Sequence, residues 1–333
     1  MKAVVVEKYG AFNSALIKDL PDPVPGPNDV IVIVKVADVN FPDIMVIEGT
    51  YQIKPPLPFS PGKAAAGVVE QVGESVNGLK PGDRVLACVE YGAYAEKLVA
   101  RSDQCHLIPD EISYSKAAAM GLVYLTAYFA LTDRAYLQPG DSVLVLGAKG
   151  GIGVASMQLA KALGAVTVIA GVRGPEHVRN AEGLGADYGV DLSTDNIRNS
   201  LREAVHSVTG GKGVDVVIDP VGGEACEAAL RALAWRGRLV VVGFASGDFP
   251  QIRANYLLVK NISATGLQVS DYRDRQPERT AAAQAALFGF YLKGLIDPHV
   301  SKVVPLDRYS EALDAIRMGH VIGKAILDVG NEH

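Results

Sequence analysis

Of 333 residues, 49% are apolar and 21% charged, and 37 acidic against 32 basic side chains leave a formal charge of −5. At roughly 150 residues per domain the length suits two domains, and this apolar content excludes wholesale disorder. Mild acidity without a long basic run excludes a dedicated nucleic-acid binder. The 35 glycines follow no collagen period, and many stand directly after apolar runs, which points to repeated strand-to-helix turns.

Residues 1–8 read as a strand that begins at once, without the apolar core and cleavage site of a signal peptide. No apolar stretch reaches the roughly 18 residues of a membrane span; Lys35 and Asp38 interrupt the one at 30–39. Cys88, Cys105 and Cys226 are odd in number and far apart, matching neither a disulfide framework nor a metal pair. A soluble, cytoplasmic protein with indifferent thiols is the expectation.

From residue 1 to about 120 the pattern is β-rich. Runs at 30–39 and 67–76 are β-branched, Lys80-Pro81-Gly82-Asp83-Arg84-Val85 turns into another strand, and Gly92-Ala93-Tyr94-Ala95-Glu96 opens a further one. Strands with almost no helix between them predict a barrel-like β module. Near Ala117 the texture changes. Short apolar strands at 142–147, 165–171, 188–190, 214–219, 239–243 and 262–266 alternate with helical patterns at 152–163, 176–184, 197–208, 224–233 and 256–260. Six such strands predict a parallel, doubly wound α/β sheet of the dinucleotide-binding Rossmann type. After Gly266 come a polar stretch at 271–278, a helix at 280–293 and a strand at 323–329. The tail is assigned to the first module, giving domains of 1–122 plus 267–333 and of 123–266.

The strand at 142–146 runs into Gly147-Ala148-Lys149-Gly150-Gly151-Ile152-Gly153, and a helix follows. Gly150 lets the backbone approach a pyrophosphate, and Gly153 permits close packing of helix on strand. The helix start at Gly151 and Ile152 offers free N–H groups and a positive dipole end. About 20 residues on, the second strand ends in Ala170-Gly171-Val172-Arg173-Gly174, with no acid before Glu176 to take ribose hydroxyls. Arg173 and Arg179 are candidates for a 2′-phosphate, or are solvated surface arginines; the missing acid favours NADPH.

Beyond this turn, Pro61-Gly62-Lys63-Ala64-Ala65-Ala66-Gly67-Val68-Val69-Glu70-Gln71-Val72-Gly73, Gly92-Ala93-Tyr94-Ala95-Glu96 and Leu125-Thr126-Ala127-Tyr128 resemble the medium-chain dehydrogenase/reductase superfamily. Val39-Asn40-x-x-Asp43, Gly49-Thr50-Tyr51 and Gly243-Phe244-Ala245-Ser246-Gly247 resemble its zinc-free quinone oxidoreductase branch. The resemblance spans almost the whole chain. It implies a GroES-like β module around a Rossmann domain, a homodimer, and NADPH-dependent reduction of quinones or other α,β-unsaturated carbonyls. Where zinc-dependent relatives place a catalytic Cys and Gly-His-Glu, this sequence has Asn40 and Gly62-Lys63-Ala64. The histidines, His106, His177, His206, His299, His320 and His333, lack ligand spacing, so no metal is expected. Ala64 stands where relatives often carry an acid and Leu192 where some carry a phosphate-contacting tyrosine, while Arg179 falls at a phosphate-binding lysine.

The resemblance makes Asn40, Asp43 and Tyr51 the candidate catalytic groups, orienting the nicotinamide ribose or the acceptor carbonyl. By spacing alone Asn40 and Asp43 also fit an Asx turn before a helix with Pro42 at its start, and Tyr51 a packing tyrosine. Thr126, Ala148, Gly150, Gly151, Ile152, Gly153, Arg173, Arg179, Val221, Phe244, Ala245, Ser246 and Lys324 are the candidate cofactor contacts. Phe244 reads equally as plain packing and Lys324 as a surface lysine. The last Rossmann strand, an open edge, is the expected dimer contact. Reduction of 2-enoyl thioesters and non-catalytic NADPH binding are the alternatives.

Overall fold

Strand Asp29–Val39 is the spine of the first unit. Its first five residues pair antiparallel with Lys97–Arg101, most of its length with Ala64–Val72, and its last four residues with Lys324–Asp328. Ala64–Val72 passes the sheet on to Arg84–Cys88 and Cys105–Leu107, and Lys324–Asp328 carries Val300–Pro305 in parallel on its other side. Register shifts at Ile31/Val32 and Val34/Val36 bend the spine, as bulges do, so that one strand serves three neighbours. Val32, Val34, Ile47, Val69, Val85, Leu98, Leu313 and Leu327 fill its core. The computed structural model describes residues 1–330, so His333 lies outside the described residues.

The second unit is a six-stranded parallel sheet. In spatial order its strands are Tyr188–Asp191, Thr167–Val172, Ser142–Leu146, Val214–Asp219, Leu233–Val241 and Ser263–Gly266. Numbered along the chain this is 3-2-1-4-5-6, the doubly wound order expected from the alternating pattern. Ser142–Leu146 is buried throughout, which is why it reads as a continuous apolar run and not as an alternation. Helix Ile197–Val208 buries only Ile197, Leu201 and Val205, its i, i+4, i+8 stripe.

The units are Met1–Leu125, Ser270–Leu292 and the chain from Pro298 onward for the first, and Thr126–Val269 with Lys293–Asp297 for the second. These limits differ from the expected 122/123 and 266/267, and the tail does not belong wholly to the first module. Lys293–Asp297 is tied to the second unit because the Gln158 amide donates to Asp297 O at 2.9 Å and accepts from Asp297 N–H at 3.0 Å.

Two elements depart from their patterns. The fifth parallel strand starts at Leu233, not 239, because Arg236 takes a positive φ of 64° and lets Trp235-Arg236-Gly237 continue the strand through a bulge. The polar stretch after Gly266 contains helix Val269–Arg275, which buries Ser270 and Arg273.

Candidate active site

Two groups of candidate side chains form, one in each unit. In the first unit, helix Phe41–Glu48 starts at Asn40, with Pro42 in its first turn and Asp43 at its third position. The Asn40 N–H donates to Asp43 Oδ2 at 2.8 Å, so the helix-capping geometry allowed by the spacing is present. The cap is also part of something larger. Tyr94 donates its hydroxyl proton to the same Oδ2 at 2.9 Å. Lys324 Nζ donates to Asn40 Oδ1 at 2.5 Å, Val39 O at 3.0 Å and Asp38 Oδ2 at 3.2 Å. Lys324 is therefore not a surface lysine: it is 3% exposed, and its ammonium is held within this unit.

All of these side chains are buried, yet among the described residues Asp38 Oδ1, Asn40 Nδ2 and Asp43 Oδ1 have no hydrogen-bond partner. Buried polar groups are nearly always satisfied, so three unpaired atoms in one cluster make it a candidate site. Burial, and then the charge of Asp38, push the Asp43 carboxyl up to about 7, against the opposing influence of Lys63, the Asn40 N–H and the Tyr94 hydroxyl. Burial and the nearby Asp43 and Asp38 hold the Tyr94 phenol well above its usual range, so it remains a proton donor.

Tyr51 lies under a second buried cation. Lys63 Nζ sits 4.5 Å from the centroid of its ring and donates to Glu90 Oε1 and, at 3.2 Å, to Glu90 O. The other Glu90 oxygen accepts from Ser270 Oγ at 2.8 Å and from Arg273 at 3.1 Å. Asp38, Lys63, Glu90, Tyr94 and Arg273 join this candidate cluster and were not among the residues that sequence reasoning proposed. A signal existed for Lys63 and Glu90, each a lone charge at the end of an apolar strand run. Among the described residues, no three His, Cys, Asp or Glu side chains gather in a way that would hold a metal ion.

In the second unit the turn after Ser142–Leu146 leads into helix Gly151–Ala162, whose N-cap, Gly150, supplies no side-chain hydrogen bond. The first-turn N–H groups of such a helix have no intrahelical acceptors. The two turn glycines differ in kind. A Cβ on Gly153 would lie 2.5 Å from the backbone of Ala148, so protein packing itself requires glycine there. A Cβ on Gly150 would meet only Gly147 O, at 3.5 Å, so nothing in the protein demands glycine there, whereas a pyrophosphate against the backbone would. These residues fit a dinucleotide.

Val221, and Phe244, Ala245 and Ser246, follow the carboxyl ends of the fourth and fifth strands. Asp219 Oδ1 accepts from the N–H groups of Val221 at 2.8 Å and Gly222 at 2.9 Å. The Ala245 and Ser246 N–H groups donate to Pro220 O and Val221 O, locking the loops after the fourth and fifth strands together. Phe244 rests edge-on against Phe249, ring centroids 4.7 Å apart. Thr126 is buried in helix Leu122–Phe129. Arg173 and Arg179 are exposed, with no ion pair among the described residues.

A curled β module with a buried polar cluster, joined to a doubly wound domain with an uncapped phosphate turn, defines the medium-chain dehydrogenase/reductase class. Residues 26–110 match the alcohol dehydrogenase GroES-like domain family, and residues 151–286 the zinc-binding dehydrogenase family. The mouse (Mus musculus) quinone oxidoreductase-like protein 2 is 38% identical over 309 residues, 93% of this chain and 87% of its own. The human (Homo sapiens) synaptic vesicle membrane protein VAT-1 homolog is 31% identical across 100% of this chain and 87% of its own. The crystal structure of Escherichia coli quinone oxidoreductase complexed with NADPH superposes with a TM-score of 0.89 at 30% identity, covering 98% of this chain and 100% of that one. The chain belongs to the quinone oxidoreductase branch of the medium-chain dehydrogenase/reductase superfamily, and is an oxidoreductase of that family. No helix among the described residues is long and apolar enough to cross a membrane.

Proposed function

We propose that this protein is an NADPH-dependent reductase of quinones or other α,β-unsaturated carbonyls, working in the cytoplasm without zinc and as a homodimer. The observation that carries the reading is the uncapped turn at Gly150, followed by a second strand that ends at Val172 and leads into Arg173-Gly174 with no acid before Glu176. The NADPH complex of the E. coli relative supports it.

Gly151, Ile152 and Gly153 would hold the pyrophosphate on backbone N–H groups, with Ala148 behind them and Gly150, whose own N–H donates to Gly147 O, letting it approach. Thr126, Val221, Phe244, Ala245 and Ser246 would border the nicotinamide half, and Arg173 the adenosine end. When bound, the cofactor supplies a hydride; the rest is orientation and charge. Quinones and enones spread the developing negative charge by conjugation, so positioned donors provide much of what a metal does elsewhere. Asn40 Nδ2 is a buried donor without a partner, and Lys324 on Oδ1 fixes which way the amide faces. Asp43, poised near neutrality, holds a proton at its unpaired Oδ1. Tyr51 offers a hydroxyl beside the Lys63 ammonium. That buried cation stands where zinc-dependent relatives place a histidine ligand, which favours metal-independent chemistry.

The dimer would form on strand Ser263–Gly266, which among the described residues pairs only with Leu233–Val241, near the exposed Leu258 and Val259 in sequence. A non-catalytic NADPH-binding protein would have no use for unpaired buried groups at Asn40 and Asp43. Steady-state oxidation of NADPH against a panel of quinones, enones and 2-enoyl thioesters tests the assignment. Turnover with quinones or enones is expected; no turnover with any acceptor would overturn it. Sedimentation at several concentrations tests the dimer.

A further inference from the structure

We propose that Lys149, held by His177, is the residue that recognises the adenosine 2′-phosphate. The inference rests on the NADPH reading above and assigns its specificity to side chains not singled out by sequence.

Lys149 is part of the phosphate turn, yet its side chain leaves that turn. Its Nζ lies 2.9 Å from His177 Nε2, on helix Pro175–Asn180, which follows the end of the second parallel strand. The ammonium thus spans from the pyrophosphate turn to the place where a doubly wound fold reads the adenosine ribose. Lysine has only protons to give, so Nε2 is the acceptor and the ring is neutral, with its proton on Nδ1. Glu176 Oε1 lies 3.4 Å from the same nitrogen and brings a negative charge alongside. Lys149 and His177 are half-buried, fixed in place but within reach of a ligand.

The alternatives at this position are used or face elsewhere. Asp191, the acid on the neighbouring strand, is committed: its Oδ1 accepts from Gly174 N–H at 3.0 Å, Ser193 N–H at 2.8 Å and Ser193 Oγ at 2.6 Å. It therefore shapes the Arg173-Gly174 loop through Oδ1, which leaves only Oδ2 to face a ligand. Arg179 comes two residues after His177, about 200° around the helix, so it projects away from the face that meets Lys149. What remains is an ammonium and the Arg173 guanidinium against the single carboxylate of Glu176. A dianionic phosphate can pair with the Lys149 ammonium, which has no carboxylate partner among the described residues, whereas a 2′-hydroxyl cannot neutralise it.

Calorimetric titration of the full chain with 2′,5′-ADP and with 5′-AMP isolates this recognition from turnover. The wild type is expected to bind 2′,5′-ADP the more tightly. Lys149→Met is expected to weaken 2′,5′-ADP by about tenfold to a hundredfold, as for a lost charge-assisted hydrogen bond, and 5′-AMP by less than about threefold. Retained 5′-AMP binding shows that the variant is folded. His177→Leu should lower the same ratio by a smaller factor, and Arg179→Ala should cost less than Lys149→Met. If the wild type prefers 2′,5′-ADP and Lys149→Met keeps that preference, this inference is wrong while the NADPH reading stands. If the wild type shows no preference, the NADPH reading fails and this inference with it.

Discussion

Lys324 Nζ donates to Asn40 Oδ1 at 2.5 Å, joining two residues 284 positions apart. The same ammonium is the ion-pair partner of Asp38, which is 0% exposed. One lysine therefore anchors the C-terminal strand, compensates a buried carboxylate and orients the proposed active-site amide.

Replacing Lys324 by Met should destabilise the protein by about 3–5 kcal/mol, because removing one partner leaves a buried charge uncompensated. Adding Asp38→Asn to Lys324→Met should recover part of that loss. Urea unfolding of both variants and the double variant measures the coupling; additive losses would rule out the compensation.

Asp43 gives a pH-dependent contribution of defined sign. Its carboxyl is raised from 3.8 to about 7, so the folded state holds a proton that the unfolded state releases. Its contribution to stability is fully present below about pH 4, falls as pH rises through 7 and is constant above, with a bound of about 4 kcal/mol. In Asp43→Asn this slope should vanish, and the stability difference between wild type and variant, followed from pH 4 to 8, should shift against the wild type. A difference independent of pH would show that the carboxyl does not titrate there.

The two turn glycines should respond differently to alanine. Gly153→Ala places a Cβ against the Ala148 backbone and is expected to cost about 1–3 kcal/mol of stability. Gly150→Ala has room for its methyl and an ordinary φ of −76°, so its melting temperature should stay near that of the wild type while dinucleotide affinity falls. Equal melting temperatures for the two variants would contradict the assignment.

The thiols should be inert. Burial pushes Cys88 and Cys105 up to about 12 and also raises Cys226. At pH 8 a disulfide reagent should label none of the 3 in the native protein and all after unfolding.

The parts of this molecule legible in sequence are those governed by local periodicity. Buried parallel strands are continuous apolar runs, and the stripe of Ile197, Leu201 and Val205 puts a helix at 197–208, where it is found. The strand start at Leu233 was not legible, because Trp235-Arg236-Gly237 has the composition of a turn and the pairing that makes one strand of it lies on either side, at Leu233 and Arg238. The candidate site divides in the same way. Asn40 and Asp43 are three residues apart and cap one helix, so a motif reveals them. Glu90 and Arg273 meet across 183 positions, and Lys149 meets His177 across 28. Such pairs exist only once the chain is folded.

The assignment of Lys293–Asp297 to the second unit has a consequence for biosynthesis. The chain passes from one unit to the other at 125/126, 269/270, 292/293 and 297/298. As the polypeptide emerges from the ribosome, the parallel sheet of the second unit is complete by Gly266, while Val36–Val39 still lacks the strand Lys324–Asp328. The nucleotide-binding unit can thus mature first, and the unit begun earliest is the last to close.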